Sequence, residues 1–297
     1  MKKMNIANSL ELLRAIVTKR KFIYAHFGLT HVCNLRCRMC DIWQIAEKYR
    51  ELTLEQIKDL ASVLKSLGII VISIGGGEPF VRKDLPEIIK IFIEQGFIVR
   101  LLTNGSLLNK KIITDLIDIG LRHISVSLDT LSADKQSYIC NREGIWNEVT
   151  ENMALISRLF PRRESLLLVN TTASKLNLEE LPALAEFANK LGYYISYIPL
   201  ESMEAKSCSS HSQGYPQEFK LKPSDYNMVD KIYGELIRMK KKGATIFNSS
   251  RFLESSRKFL KLEQRNWRCD AGSLYFSLDP GGNFSICHHF QYERKLD

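Results

Sequence analysis

Three cysteines lie within eight residues of the chain, at Cys33, Cys37 and Cys40. Three thiolates on one loop can hold three irons of a four-iron four-sulfur cluster and leave the fourth iron without a protein ligand. A zinc site is one alternative, with Cys37 and Cys40 as half of its ligands, but no matching second half lies nearby. Three structural cysteines are the other. The spacing favours a cluster with an open iron, which is a catalytic feature.

Glycine-rich and polar segments accompany the next three predicted strands. Residues 75–79 read GGGEP and come at the end of a strand predicted at 69–75. Residues 103–105 come at the end of the next predicted strand, 98–104, and residues 125–129 belong to the one after it, 123–129. Consecutive glycines allow the backbone to approach a ligand closely, and Glu78 supplies an acceptor for an ammonium group. On its own, GGGEP predicts only a turn. Beside the cysteine loop it predicts a ligand site.

Together these segments resemble the radical S-adenosylmethionine (radical SAM) superfamily, and the resemblance covers about residues 22–201. It implies that Cys33, Cys37 and Cys40 ligate a four-iron four-sulfur cluster whose open iron binds SAM. In such enzymes an electron delivered to the cluster cleaves the sulfonium, and the resulting 5′-deoxyadenosyl radical abstracts hydrogen from the substrate. The cofactor carries the chemistry, while the protein positions it and excludes water.

The resemblance also implies the contacts to SAM. Met39 would lie beside the adenine, and Ser127 and Asn104 fall where the family contacts the carboxylate or the ribose. The residues implied to bind the methionyl amine are Gly76, Gly77 and Glu78. No motif identifies a catalytic acid or base.

One segment departs from the family pattern. Where many relatives read Ile-Arg-Gly before the helix after the fourth strand, this chain reads Ile139, Cys140 and Asn141, followed by Arg142. We expect Arg142 to stand in as the partner of the SAM carboxylate. Cys140 is expected to be a small buried hydrophobe rather than a ligand.

The C-terminal residues resemble the opening of the SPASM/twitch extension, which holds an auxiliary iron–sulfur cluster. Cys269 begins the segment Cys-Asp-Ala-Gly, and Cys287 ends the segment Gly-Asn-Phe-Ser-Ile-Cys. Such extensions continue with further cysteines, whereas this sequence stops at Asp297, so we expect either a fragment or a degenerate extension. Further ligands would come from beyond Asp297 or from His288, His289 or Cys208. The alternative is a hairpin with two unligated cysteines.

Strand-like and helix-like segments alternate between residues 22 and 201. The predicted strands are residues 22–29, 69–75, 98–104, 123–129, 166–173 and 193–200, and the predicted helices are residues 53–67, 86–95, 109–119, 145–159 and 179–191. Repeated βα units indicate parallel strands with right-handed crossovers. We therefore predict an α/β fold, a partial (β/α)6 barrel with a small C-terminal α+β extension, and functional groups at the strand C-termini.

The predicted organisation has four parts. An N-terminal helix occupies residues 1–21, and the core barrel occupies residues 22–201. Residues 202–263 form a loop and helices. Residues 264–297 form the SPASM/twitch-like part, in which a Pro- and Gly-containing turn at 279–282 predicts a β-hairpin.

Alternation along the strands predicts a polar barrel interior. In the fourth strand Ile124, Val126 and Leu128 alternate with Ser125, Ser127 and Asp129, so one face meets helices and the other points inward. The same parity points Tyr24, His26, Ser73, Arg100, Asn104, Asn170 and Thr172 into the interior. So many polar groups predict a wet, ligand-holding lumen.

The composition describes an ordinary globular protein of 297 residues, 45% hydrophobic and 25% charged. It excludes disordered, collagen-like and disulfide-rich classes.

No apolar run approaches the roughly 18 residues of a membrane span, and no signal peptide is visible. Seven cysteines, an odd number, favour a reducing compartment, so we expect a cytoplasmic protein. The net charge of +9 comes from short, dispersed clusters, which favour a solvated surface over nucleic acid.

These features predict a radical SAM oxidoreductase or maturase. The C-terminal pattern favours a ribosomally made peptide as substrate, and a small polyol or aminocyclitol dehydrogenated at carbon is the second candidate. RNA modification fits the charge but lacks a recognisable RNA-binding module. A non-catalytic iron–sulfur protein is the least favoured, because an electron carrier gains nothing from an open iron.

The expected electron donor is a flavodoxin or a ferredoxin. These proteins are usually acidic and this chain is basic, so electrostatic steering favours docking near the cysteine loop. The positive charges closest in sequence are Arg36, Arg38 and Lys48.

Overall fold

A computed structural model describes residues 6–48, 50–200, 216–263, 269–286 and 294–295 of the chain. Its strands are β1 Tyr24–Thr30, β2 Val71–Gly76, β3 Ile98–Thr103, β4 His123–Ser127, β5 Leu166–Ala173, β6 Tyr194–Pro199, β7 Tyr275–Leu278, β8 Asn283–Ser285 and β9 Arg294–Lys295. They form one sheet in the order β6-β5-β4-β3-β2-β1-β7-β8-β9. From β1 to β6 every neighbouring pair is parallel, which confirms the predicted α/β fold and partial barrel.

The α-helices connect and cover these strands. They are α1 Ile6–Thr18, α2 Leu54–Ser66, α3 Leu85–Glu94, α4 Lys110–Asp118, α5 Ala133–Cys140, α6 Ile145–Leu159, α7 Leu181–Lys190, α8 Tyr226–Lys241 and α9 Ser250–Leu260. In the described ranges, no helix combines the length and the apolar character needed to cross a membrane.

The helix starts follow local sequence signals. At α2 the Thr53 hydroxyl accepts a hydrogen bond from the Gln56 amide at 3.3 Å, and the Gln56 side chain accepts one from the Thr53 amide at 3.0 Å. This is the predicted capping box. Helix α3 has Pro86 in its first turn, where a missing N–H costs nothing.

Among the α-helices of the described residues, α5 is the one that the sequence patterns did not predict. It has eight residues, and two of its four buried side chains, Gln136 and Ser137, are polar, so it lacks an apolar stripe. Ser132 caps its start by accepting from the Lys135 amide at 3.3 Å. It ends at Cys140, because the next residue, Asn141, has a left-handed φ of 53° that prevents the helix from continuing.

The two faces of the sheet differ as the alternation predicted. Ile124, Val126 and Leu128 are fully buried in the main hydrophobic core with the helices. On the other face, the Tyr24 hydroxyl donates to Ser73 Oγ at 2.6 Å, and His26 Nδ1 lies 2.7 Å from the same oxygen. The interior of the barrel is therefore lined by hydrogen-bonded polar groups.

The predicted C-terminal hairpin is confirmed and joins the barrel sheet. The Asp279 carboxylate accepts from the Gly281 and Asn283 amides at 2.9 and 2.8 Å, and Gly282 has a φ of 79°. Strand β8 pairs antiparallel with β7, and β7 pairs in parallel with β1. The hairpin thus extends the sheet at the edge opposite β6, while the division into four parts stays a prediction.

We predict that this hairpin contributes to global stability. Phe276 is 1% exposed, and its ring lies 5.1 Å from those of Phe22 and Phe284, so Phe276→Ala should lower the free energy of unfolding by about 3–5 kcal/mol. Phe247, which is 47% exposed, is the matched control, and Phe247→Ala should cost less than about 1 kcal/mol. Urea unfolding measures both, and equal costs would show that the hairpin is not part of the core.

Candidate functional site

The predicted site segments meet at one edge of the sheet. Parallel pairing places Thr30 opposite Gly76, Thr103 opposite Val126, and Ser127 opposite Asn170. The cysteine loop, the GGGEP segment and Asn104 follow directly from these strand ends. The expected clustering of candidate groups at the strand C-termini is therefore confirmed.

The GGGEP segment is hydrogen-bonded to the chain that leads into the cysteines. The Gly77 amide donates to the Thr30 carbonyl at 2.7 Å, and the Glu78 amide donates to the Val32 carbonyl at 2.9 Å. A Cβ added to Gly76 would lie 2.2 Å from the Thr30 oxygen, and one added to Gly77 would lie 2.2 Å from the Val32 oxygen. These glycines therefore allow the backbone to approach the chain's own cysteine loop.

The Glu78 side chain is held by hydrogen bonds within the protein. Its carboxylate is fully buried, and burial raises its pKa to about 7. One oxygen accepts from the Asn104 amide at 2.7 Å, and the other accepts from the Thr103 hydroxyl at 2.9 Å and the Phe80 amide at 3.2 Å. The neighbouring Gly76 and Gly77 are half-buried. Contact between these three residues and the methionyl amine stays a prediction.

Asn104 lies against the first cysteine. Its Nδ2 is 3.9 Å from Cys33 Sγ and donates to Asn34 Oδ1 at 2.9 Å. Its Oδ1 accepts from the amide and hydroxyl of Ser106 at 3.0 and 2.7 Å. Asn34 in turn donates to Ser106 Oγ at 2.8 Å. Sequence reasoning missed Asn34 and Ser106, although their positions beside Cys33 and Asn104 were available as a signal.

The three loop thiols are half-buried. Burial raises the pKa of Cys33 and raises that of Cys40 to about 11, while a hydrogen bond to Cys140, with burial, raises the pKa of Cys37. Metal loading must therefore displace protons from all three. Within the described ranges, no three His, Cys, Asp or Glu side chains converge on a single metal ion. A four-iron cluster does not require convergence, because each thiolate binds its own iron, so the donor set fits.

Cys140 lies under the cysteine loop. It is 5% exposed, as expected of a small buried hydrophobe, and accepts a hydrogen bond from Gln136 Nε2 at 3.3 Å. The contact with Cys37, which sequence reasoning missed, brings a fourth thiol to the loop. This contact depends on helix α5, because Cys140 is its last residue.

The remaining predicted SAM contacts have different surroundings. Met39 is partly buried against the main core, and Ser127 is exposed at the end of β4. Arg142 is engaged elsewhere, since its Nη2 donates to both carboxylate oxygens of Glu148 at 2.6 and 2.7 Å. Its role as a carboxylate partner stays a prediction.

The outer side of the cysteine loop carries exposed cations. The Arg36 guanidinium lies 4.8 Å above the Trp43 ring, and that of Arg38 lies 4.4 Å above the Tyr138 ring. The Arg38 amide also donates to the Ile139 carbonyl at 2.8 Å, which docks the end of α5 on the loop. The Lys48 side chain lies outside the described part of the chain.

The C-terminal cysteines are described only in part. Cys269 is exposed, and its Sγ accepts a hydrogen bond from the Ala271 amide at 3.5 Å. Cys287, His288, His289 and Cys208 lie outside the described residues. The auxiliary ligand set stays a prediction.

Asp129 is a second buried carboxylate near the loop. It follows β4, its Oδ1 accepts from the Thr172 amide at 2.7 Å, and its negative charge contributes to the raised pKa of Cys37. Burial raises the pKa of Asp129 to about 7 from its ordinary 3.8. The folded state therefore binds more protons than the unfolded state between these values, so this carboxyl costs stability as pH rises.

We predict that Asp129→Asn removes this cost and keeps the hydrogen bond from Thr172. The stability that protonated Asp129 contributes is present below about pH 4 and is lost as pH rises to about 7. In the reduced, metal-free protein, the free energy of unfolding of the variant minus that of the wild type should therefore increase by about 2–3 kcal/mol from pH 5 to pH 8. Urea unfolding at both pH values measures the gain. Asp134→Asn, on an exposed position of α5, should show none, and an equal gain there would contradict the assignment.

Comparison with known proteins places these features in context. The family model described as the radical SAM superfamily matches residues 28–188. The AdoMet-dependent heme synthase of Methanosarcina barkeri is 31% identical over 57% of this chain and 49% of its own length. The GTP 3′,8-cyclase of Campylobacter fetus is 33% identical over 64% of this chain and 59% of its own length. The chain thus spans about half of the length of these relatives.

Solved structures share the fold at lower identity. The structure of Streptococcus suis SuiB bound to S-adenosylmethionine has a TM-score of 0.70 and 15% identity, covering 98% of this chain and 68% of that one. A second structure, of SuiB bound to the precursor peptide SuiA, has a TM-score of 0.70 and 14% identity, covering 97% of this chain and 66% of that one. At these identities the likeness concerns the fold alone.

Proposed function

Because this chain belongs to the radical SAM superfamily, we propose that it binds a four-iron four-sulfur cluster through Cys33, Cys37 and Cys40, binds SAM beside it, and removes hydrogen from an organic substrate. The observation that carries the proposal is the half-buried three-thiol loop, hydrogen-bonded to the GGGEP segment at the C-terminal edge of the barrel. With both groups bound, the site would supply reductive cleavage of SAM to a 5′-deoxyadenosyl radical.

The chain's own residues would hold the reacting groups in place. The side-chain amide of Asn104 would face the Cys33 sulfur. The Glu78 carboxylate would keep the ends of β2 and β3 together through its hydrogen bond from the Asn104 backbone amide. The backbone of Gly76 and Gly77 would meet the methionyl amine, with Met39 and Ser127 as further contacts. Such fixed groups replace solvent around a reactive species and restrict its access to water.

A peptide is the substrate class that we favour. The fold shared with SuiB, which has been crystallised with its precursor peptide, and the Cys269 and Cys287 pattern both support it. We propose a maturase that modifies a ribosomally made peptide. A small molecule is the second candidate, supported by sequence relatives whose names describe a heme synthase and a GTP cyclase.

We also propose a low-potential flavodoxin or ferredoxin as the electron donor, and a cytoplasmic location. The exposed Arg36 and Arg38 on the outer side of the loop support docking of an acidic protein there. The odd number of cysteines supports a reducing compartment.

The first test of the proposal replaces the loop thiols. Cys40→Ala should abolish cleavage of SAM to 5′-deoxyadenosine after anaerobic reconstitution, because each thiolate holds one iron. Cys269→Ala, at an exposed cysteine outside the loop, should keep cleavage. Product formation is measured by chromatography with dithionite as reductant. Full iron content and full cleavage in a Cys33, Cys37 and Cys40 triple Ala variant would refute the proposal.

The second test concerns an auxiliary cluster. If Cys269 and Cys287 hold one, iron per chain should fall from about eight to about four in the double Ala variant, since each cluster carries four irons. Iron analysis after reconstitution measures this. Equal content near four in both proteins would leave the hairpin structural and would shift the assignment away from SPASM-type peptide chemistry.

The third test concerns the electron donor. The rate of reduction by flavodoxin should fall as salt rises from about 50 to about 500 mM, because exposed charges are screened beyond about 8–10 Å at physiological ionic strength. An Arg36→Gln/Arg38→Gln variant should show a slower rate at low salt and a weaker salt dependence. Stopped-flow reduction measures both, and a rate independent of salt in the wild type would contradict docking by charge.

A further inference from the structure

Arg100 is a charged side chain inside the barrel that the proposed chemistry does not use. It lies in β3, between Val99 and Leu101, which are buried on the opposite, helix-covered face. Its Nε donates to Ser125 Oγ at 2.8 Å, and its Nη2 contacts Asn170 Oδ1 at 3.4 Å. These two hydrogen bonds hold the guanidinium across the polar faces of β4 and β5.

The guanidinium reaches the level of the strand ends. In the register, the Arg100 backbone lies opposite Ser73 and His123, below the edge that carries the cysteine loop. Its partner Asn170 lies opposite Ser127, the last residue of β4. The charged end of Arg100 is therefore directed from the middle of the barrel towards the edge of the candidate site.

No ion pair neutralises Arg100 within the part of the chain that the structure describes. Its hydrogen-bond partners are a hydroxyl and an amide, and burial lowers its pKa, although an arginine stays protonated in proteins. Burying a charge without a counter-charge is costly. Arg82 provides the contrast, because its largely buried guanidinium is paired with both Glu51 and Asp84.

Arg100 also has donors left over. A guanidinium has five N–H groups, and the two hydrogen bonds use only two of them. Its Nη1 donates to no described acceptor, yet it is not among the described nitrogens that are both buried and unpaired. The Nη1 group is therefore not sealed off by the protein, and Arg100 as a whole is half-buried.

We infer that Arg100 binds an oxyanion of the substrate, a carboxylate or a phosphate, inside the barrel. The two N–H groups of a guanidinium edge match the two oxygens of such a group. An anion there would supply the missing counter-charge, and it would orient the rest of the substrate towards the strand ends. The inference rests on the proposed function and narrows its substrate to molecules with an acidic group, such as a peptide with an acidic side chain or a free C-terminus.

The test uses acetate and inorganic phosphate as probes on the anaerobically reconstituted protein, at ionic strength held constant with chloride. A probe at about ten times its dissociation constant should raise the melting temperature of the wild type by about 2–4 °C. The shift should be absent in Arg100→Gln and retained in Arg158→Gln, which removes the same charge from an exposed position of α6. A response to acetate identifies a carboxylate site, and a response to phosphate identifies a phosphate site.

A second measurement uses the unaltered protein, in case Arg100→Gln does not fold. Modification of Arg100 by phenylglyoxal, followed by peptide mass spectrometry, should slow about tenfold at the same excess of the probe that binds. Equal melting shifts in the wild type and in a folded Arg100→Gln protein would overturn the inference. Absence of both a shift and protection in the wild type would also overturn it. Neither readout involves SAM cleavage, so failure here and failure of the proposed function are distinguishable.

Discussion

The site depends on the close backbone contact between the end of β2 and the start of the cysteine loop. The amides of Gly77 and Glu78 donate to the carbonyls of Thr30 and Val32, at distances that only residues without a Cβ permit at 76 and 77. Glu78 adds the end of β3 to this contact, because its buried carboxylate accepts hydrogen bonds from the Asn104 amide and the Thr103 hydroxyl. The ends of β1, β2 and β3 are thereby held together, which fixes the start of the loop that carries the thiols.

The opposite side of the loop is held by helix α5. The Arg38 amide donates to the carbonyl of Ile139 in the last turn of α5, and the last residue of the helix, Cys140, contacts Cys37. The loop therefore lies between two supports from distant parts of the chain. This arrangement leaves the thiols half-buried, while the cations of Arg36 and Arg38 remain exposed on the outer side.

The sheet separates two environments. Its outer face is apolar and packs against the helices, so the free energy of burial holds the barrel together. Its inner face carries hydroxyl, imidazole, amide and guanidinium groups that hydrogen-bond to one another across strands. Ser73 accepts from Tyr24 and lies against His26, and Arg100 donates to Ser125. A partial barrel with such an interior suits a polar ligand better than a filled apolar core would.

The sequence by itself determined the features that depend on neighbours in the chain. The strand and helix order, the capping box at Thr53, the hairpin turn at 279–282 and the polar parity of the interior all follow from local spacing and turn chemistry. The cysteine spacing, taken together with the GGGEP segment and the polar segments of the next two strands, likewise indicated the family. Helix α5 was not predicted from the sequence because its eight residues carry no apolar stripe.

Only the tertiary structure decided which of these residues touch. It buried the Glu78 carboxylate, paired Arg142 with Glu148, brought Cys140 to Cys37, and added β7 to the sheet beside β1. It also left Arg100 facing the interior without a described counter-charge. Most of these contacts join residues far apart in the chain, and even the near pair of Arg142 and Glu148 depends on the left-handed turn after α5. Residue type and spacing do not specify such geometry, because it depends on how the packed elements are oriented.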